Sequence, residues 1–104
     1  MDELSSVYIQ ECREQLAEME AGLLRLEQNP DDSDNINAIF RAAHTIKGSA
    51  RLAGAMRMGE MAHRLESAVE RIDQERPAAD AIEPLLSSFD ALQASFDVLR
   101  MAGE

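Results

Sequence analysis

Ile9-Gln10-Glu11-Cys12-Arg13-Glu14-Gln15-Leu16-Ala17-Glu18-Met19-Glu20-Ala21-Gly22-Leu23-Leu24-Arg25-Leu26 decides how the rest of the chain reads. Its apolar residues Ile9, Cys12, Leu16, Met19, Leu23 and Leu26 fall at alternating steps of 3 and 4. That spacing puts them on one stripe of an α-helix and leaves the charged residues on the other side. The stripe stops at Asn29-Pro30, because proline disfavours helix in the residue before it. A first helix over about 2–28 follows.

The same period recurs three times downstream. Asp31-Asp32-Ser33-Asp34 is a polar turn in which Asp34 or Ser33 is the expected N-cap. A second helix over about 35–53 turns Ile36, Ile39, Ala43, Ile46 and Ala50 inward and fades around Gly54. A third is expected over about 56–75, with Met58, Met61, Leu65, Ala68, Val69 and Ile72 on one face, before Pro77. The fourth, over about 80–101, carries Ile82, Leu85, Phe89, Leu92, Phe96 and Leu99 and closes near Gly103. A period of 3.5 also suits an intermolecular coiled coil. The breaks at Pro30 and Pro77 and the short segments favour packing within one chain. The fold class is all-α, an antiparallel up-down four-helix bundle, with residues 1–104 forming a single domain.

Composition narrows the function. The chain of 104 residues holds 20 acids against 10 bases, a formal net charge of −10. Such a protein does not hold nucleic acid or an anionic membrane by bulk electrostatics, so neither is expected as a partner. Cys12 is the single cysteine, which excludes an intrachain disulfide and suits a reducing compartment. The acidic start Met1-Asp2-Glu3-Leu4 does not read as a signal peptide. No run approaches the roughly 18 apolar residues of a membrane span. The expected location is cytoplasmic.

Charge is uneven along the chain. Between Arg41 and Arg64 there are five bases (Arg41, Lys47, Arg51, Arg57, Arg64) and one acid, Glu60, so that window is +4 and the remainder −14. A local cationic surface on an acidic protein suits a small anion better than a polyanion.

Inside that window stands Phe40-Arg41-Ala42-Ala43-His44-Thr45-Ile46-Lys47-Gly48-Ser49-Ala50. Glycine within a helix costs about 1 kcal/mol relative to alanine, so something must offset Gly48. On a helical wheel His44 lies about 120° from the centre of the apolar stripe. Asn37, Phe40, Lys47, Gly48 and Arg51 are its neighbours there. The face combines a titratable nitrogen, a fixed positive charge and a gap, which is how a large partner would approach an imidazole carrying an anion. The third helix adds His63 and Glu66. If the two helices are antiparallel neighbours, Glu66 reaches one ring nitrogen of His44. A carboxylate accepting from Nδ1–H fixes the tautomer and leaves Nε2 as an outward lone pair and better nucleophile. Lys47 stands ready for the arriving negative charge. The group describes a phosphoryl-accepting histidine, not a complete catalyst.

Other chemistries fit less well. A metal site in a bundle needs Glu-x-x-His twice with further carboxylates. Here there is one reversed half, and Lys47 would repel a cation, so no metal is expected. Ser49 and Thr45 do not share the face of His44 as a hydrolase nucleophile would. No glycine-rich phosphate loop is present, so ATP and Mg²⁺ are expected to belong to partner domains. Cys12 reads as a small buried apolar residue.

The stretch His44-x-x-Lys47-Gly48 within residues 40–50 resembles the histidine-containing phosphotransfer (Hpt) family. That family is a four-helix bundle whose exposed histidine is phosphorylated at Nε2 and passes the phosphoryl group to an aspartate of a response-regulator receiver domain. The resemblance implies that His44 is the phosphorylated residue, that Lys47 steadies the phosphoryl group, and that Gly48 leaves room for the partner. Phe40, Arg41 and Arg51 would join Gly48 in the binding surface. His44, Lys47, His63 and Glu66 together resemble the hydrogen-bonded quartet of the N-terminal Hpt domain of CheA-type chemotaxis kinases. Relay-type Hpt domains more often place a glutamine near the histidine, and this stretch of the third helix has none. The resemblance therefore implies phosphorylation by a histidine-kinase ATP-binding domain, within a larger kinase, of a domain that is by itself a phosphoryl carrier. The Lys47-Gly48-Ser49-Ala50-Arg51 context is similar to CheA-like hybrid kinases of type IV pilus systems. The alternatives are a relay Hpt domain charged by a receiver aspartate and a non-phosphorylated helical adaptor.

Overall fold

The computed structural model describes residues 3–72 and 77–103. They form four helices, α1 (Glu3–Gln28), α2 (Ser33–Leu52), α3 (Met56–Glu70) and α4 (Ala78–Gly103). Each packs on two neighbours, closing the ring α1–α2–α3–α4. A 26-residue helix is about 39 Å long, which matches the 42 Å long axis of the molecule and its 21 and 20 Å cross-section. The long helices thus run along the molecule, as the bundle reading requires.

The expected stripes are the core. Met19, Leu23, Leu26, Ile39, Ile46, Met58, Leu65, Leu85 and Leu92 are fully buried. Met61, Ala68, Ile82 and Leu99 sit at the edge of the core rather than in it, and Ala42 and Ala62 lie inside it. Small residues at these inner positions let α2 and α3 come close. Cys12 is buried as expected. Burial first, and Glu11 second, push its thiol up to about 11.

Three boundaries differ from the sequence reading, each for a physical reason. Helix α2 starts at Ser33, and its cap is Asp32, whose carboxylate accepts from the Asn35 amide at 3.2 Å. Ser33, Asp34 and Asp32 are equally good capping residues locally. The register is chosen by Asn35, which is buried and donates Nδ2–H to the Gly22 carbonyl at 2.8 Å while accepting from Arg25 Nε at 3.4 Å. Placing Asn35 in the first turn of α2 pins that helix to α1.

Helix α3 ends at Glu70 rather than 75. Its last turn tightens, with the Ile72 amide donating to the Val69 carbonyl at 3.1 Å. A 3₁₀-type turn also puts i and i+3 on one side, so Val69 and Ile72 stay buried across the stop. Apolar spacing cannot register such an end. The expected residues 73–75 of that helix lie outside the described residues. Helix α4 begins two residues before the expected start, its first turn joined to the connection by the Asp80 amide donating to the Pro77 carbonyl at 3.1 Å, and it carries Pro84 in its second turn, where one intrahelical bond is lost.

The α2–α3 corner is short, residues 53–55. Gly54 has φ +83°, a left-handed conformation that favours glycine. Its amide donates to the Arg51 carbonyl at 3.0 Å and the Ala55 amide to the Ala50 carbonyl at 2.8 Å, the paired bonds of a Schellman C-cap. This corner makes α3 run back beside α2. Among the described residues no helix is long and apolar enough to cross a membrane.

Candidate functional site

Helix α2 presents Phe40, His44 and Lys47 at steps of 4 and 3, one face of a helix. Helix α3 presents His63 and Glu66 opposite them. The corner at Gly54 brings these faces together, and the side chains meet at Glu66. This carboxylate is buried, because Lys47 and His44 close over it from α2.

Both carboxylate oxygens are occupied. Oε2 accepts from His44 Nδ1 at 2.5 Å. Oε1 accepts from Lys47 Nζ at 2.8 Å and has His63 Nδ1 3.4 Å away. Burial pushes the Glu66 pKa up, but the hydrogen bonds from Lys47 and His44, together with their charges, outweigh it and hold the group below its ordinary value. Glu66 is therefore a carboxylate, an acceptor only, and the proton between it and His44 belongs to Nδ1. The other ring nitrogen, Nε2, keeps its lone pair. The His44 side chain is 64% exposed, whereas that of Glu66 is only 8% exposed. A buried anion thus orients an exposed imidazole.

Such a group can do one chemical thing well. It offers an exposed nitrogen nucleophile whose developing positive charge is met by a fixed carboxylate, with an ammonium beside it for an incoming anion. A leaving-group acid and a second nucleophile are not part of the arrangement.

The remaining candidates are spread around this centre. Phe40 stacks on His44, with ring centroids 6.5 Å apart and planes 14° apart. Arg41 lines a shallow depression with Phe40, His44, Thr45, Lys47 and Glu66. Arg51 is not in that lining. Its stem lies over Gly59 of α3, where an added Cβ would come within 2.9 Å of Arg51 Cγ. Gly48 is the opposite case. A Cβ there would meet nothing within 4 Å, and its backbone is not left-handed. Nothing within the chain calls for glycine at that position.

Sequence reasoning missed two features of the site. Thr45 lines the depression, although one residue of helix rotation had set it aside. Gly59 lets α3 approach α2 closely enough for Glu66 to reach both His44 and Lys47; its only signal was a glycine inside a predicted helix.

Comparison with known proteins points to one family. The model of the family described as Hpt domain matches residues 3–101. The chemotaxis protein CheA of Rhizobium meliloti is 41% identical over 76 residues, which are 73% of this chain and 10% of that protein. The sensor histidine kinase CheAY of Helicobacter pylori is 35% identical over 74 residues, 68% of this chain and 9% of that one. The chain thus matches only about a tenth of the length of these relatives. Among solved structures, the phosphorylated P1 domain of CheA3 from R. sphaeroides, in complex with CheY6, superposes with a TM-score of 0.86. It is 31% identical, and the match covers 98% of this chain and 81% of that one. The chain belongs to the Hpt family: it is a histidine-containing phosphotransfer domain of the kind found in chemotaxis kinases.

Proposed function

We propose that His44 accepts a phosphoryl group at Nε2 from the ATP-binding domain of a histidine kinase and passes it to an aspartate of a response-regulator receiver domain. The observation that carries this is the Nδ1–Glu66 hydrogen bond on an exposed side chain, which engages one ring nitrogen and leaves Nε2 as the one open to a partner.

The steps balance without an outside acid or base. The Nε2 lone pair attacks the γ-phosphorus of ATP held by the kinase domain, the bond to the bridging oxygen breaks, and ADP leaves. The ring, already protonated at Nδ1, becomes a cation, and Glu66 meets that charge across the existing hydrogen bond. Charge-assisted bonds of this kind are worth about 1.5–3 kcal/mol. Lys47 is placed to pair with the phosphoryl oxygens. In the second step a receiver carboxylate attacks phosphorus, and His44 returns to its neutral form. His63 lies beside the carboxylate, its Nδ1 3.4 Å from Glu66 Oε1.

Likeness to CheA proteins, and to a P1 domain whose solved structure includes CheY6, supports a kinase and a receiver as the two partners. In this reading the donor supplies ATP and Mg²⁺, and the reaction is a cytoplasmic one. The domain is a carrier rather than an enzyme.

The test is incubation with a CheA-type ATP-binding domain and radiolabelled ATP, comparing wild type with His44→Gln. Acid-labile, base-stable label on wild type alone is expected. Label obtained only from a phosphorylated receiver moves the chain to the relay class. No label from either source overturns the carrier reading in favour of an adaptor.

A further inference from the structure

The hydrogen bond to Glu66 secures one atom of the His44 ring. It does not secure the plane. The ring is also tethered through Cγ, yet a coupled rocking about χ1 and χ2 still changes its tilt with little change in the Nδ1–Glu66 distance, and this side chain is 64% exposed. The lone pair on Nε2 lies in the ring plane, so a swinging ring sweeps the direction of attack across the surface. In-line phosphoryl transfer rewards one direction. Something must hold the plane.

Phe40 is in place to do so. It lies one turn earlier on α2, and its ring runs 14° from parallel with the imidazole at a centroid separation of 6.5 Å. Aromatic pairs interact over centroid distances of about 4.5–7 Å. Phe40 is itself half-buried and packed against the core, so it cannot follow the imidazole as it turns. Glu66 and Phe40 therefore act on different degrees of freedom: the carboxylate sets the tautomer and anchors the edge, and the phenyl ring limits the tilt.

We infer that Phe40 is a positioning residue for phosphoryl transfer, acting through His44 by holding the imidazole plane so that Nε2 faces the partner. This rests on the reading of His44 as the phosphoryl acceptor and adds a role for a side chain that touches no reacting atom. It also separates Phe40 from a docking contact. A docking residue changes KM for one partner. A residue that aims Nε2 changes kcat with kinase and receiver alike, because both reactions pass through the same nitrogen.

The experiment uses the full chain with Phe40→Leu and Phe40→Tyr, checking each fold by its amide NMR spectrum. Loss of one aromatic pair contact corresponds to a fall in kcat of about three- to tenfold for Phe40→Leu. The expected result is that fall in both half-reactions, with KM within about twofold of wild type, and recovery in Phe40→Tyr. The ¹⁵N shifts of His44 should keep the Nδ1–H signature in both variants, while ¹³C relaxation of the ring shows added motion in Phe40→Leu only. Unchanged kcat, a change confined to KM, or Tyr behaving as Leu overturns the inference. If wild type takes no label from kinase or receiver, the carrier reading fails. The ring relaxation then still decides whether Phe40 restrains the imidazole.

Discussion

Gly48→Ala separates what the fold needs from what the function needs. Inside a helix, glycine is about 0.5–1 kcal/mol less favourable than alanine, mainly through the entropy of the unfolded chain. That gain is usually offset by a clash. Here the new Cβ meets no atom within 4 Å and the backbone is ordinary right-handed helix. The full gain of about 0.5–1 kcal/mol should appear, raising Tm by roughly 2–8 °C for a domain of this size. A urea titration should show the same gain as a shifted midpoint with unchanged slope. If Gly48 is the gap through which a partner reaches His44, the more stable variant should transfer phosphate more slowly. A methyl in that gap is expected to raise KM at least about tenfold, equal to 1.4 kcal/mol of docking energy. A lower Tm would refute the conclusion that nothing within the chain requires this glycine. A higher Tm with unchanged transfer would refute the gap.

Gly22→Ala should go the other way: its Cβ falls 2.8 Å from buried Ile39 Cγ1, and overpacking of this kind costs about 1–3 kcal/mol, readable in the same melts. Glu66→Gln should flatten the acid limb of the stability curve. A carboxyl whose pKa is lower folded than unfolded favours the native state above its unfolded value and loses that contribution as pH falls through the folded one, so wild type loses stability below pH about 4.5 in a way the variant does not. An identical acid limb for both proteins would argue against a paired Glu66. The same variant should slow phosphorylation of His44 without abolishing it, since the nucleophile remains and only its orientation and charge partner weaken; equal rates would remove Glu66 from the reaction. Cys12, buried and with its thiol pushed up to about 11, should react with a thiol reagent at pH 8 only as fast as the bundle opens. Labelling that is fast and independent of denaturant would contradict its burial.

The bundle was legible because its evidence is local and repeated. Residues such as Leu16, Ile46, Leu65 and Phe89 each sit three or four places from another apolar residue, and that spacing has one compact solution in a chain with short polar breaks. His44 was legible for a related reason: it stands off the apolar stripe, next to a glycine that helix propensity alone would not select. What a one-dimensional pattern cannot hold is distance between helices. Asn35 chooses the α2 start through the Gly22 carbonyl on another helix, and no feature near residue 32 distinguishes one cap from the next. The end of α3 is hidden because helix and tight turn share the i, i+3 face. The burial of Glu66, its division between His44 and Lys47, and the Phe40 ring lying beside the imidazole all depend on how close α3 comes to α2 and which rotamers survive there. The sequence alone determined which residues face inward and that His44 stands off the apolar stripe. Only the tertiary structure decided which nitrogen of that histidine is free, because that is settled by a carboxylate 22 residues away.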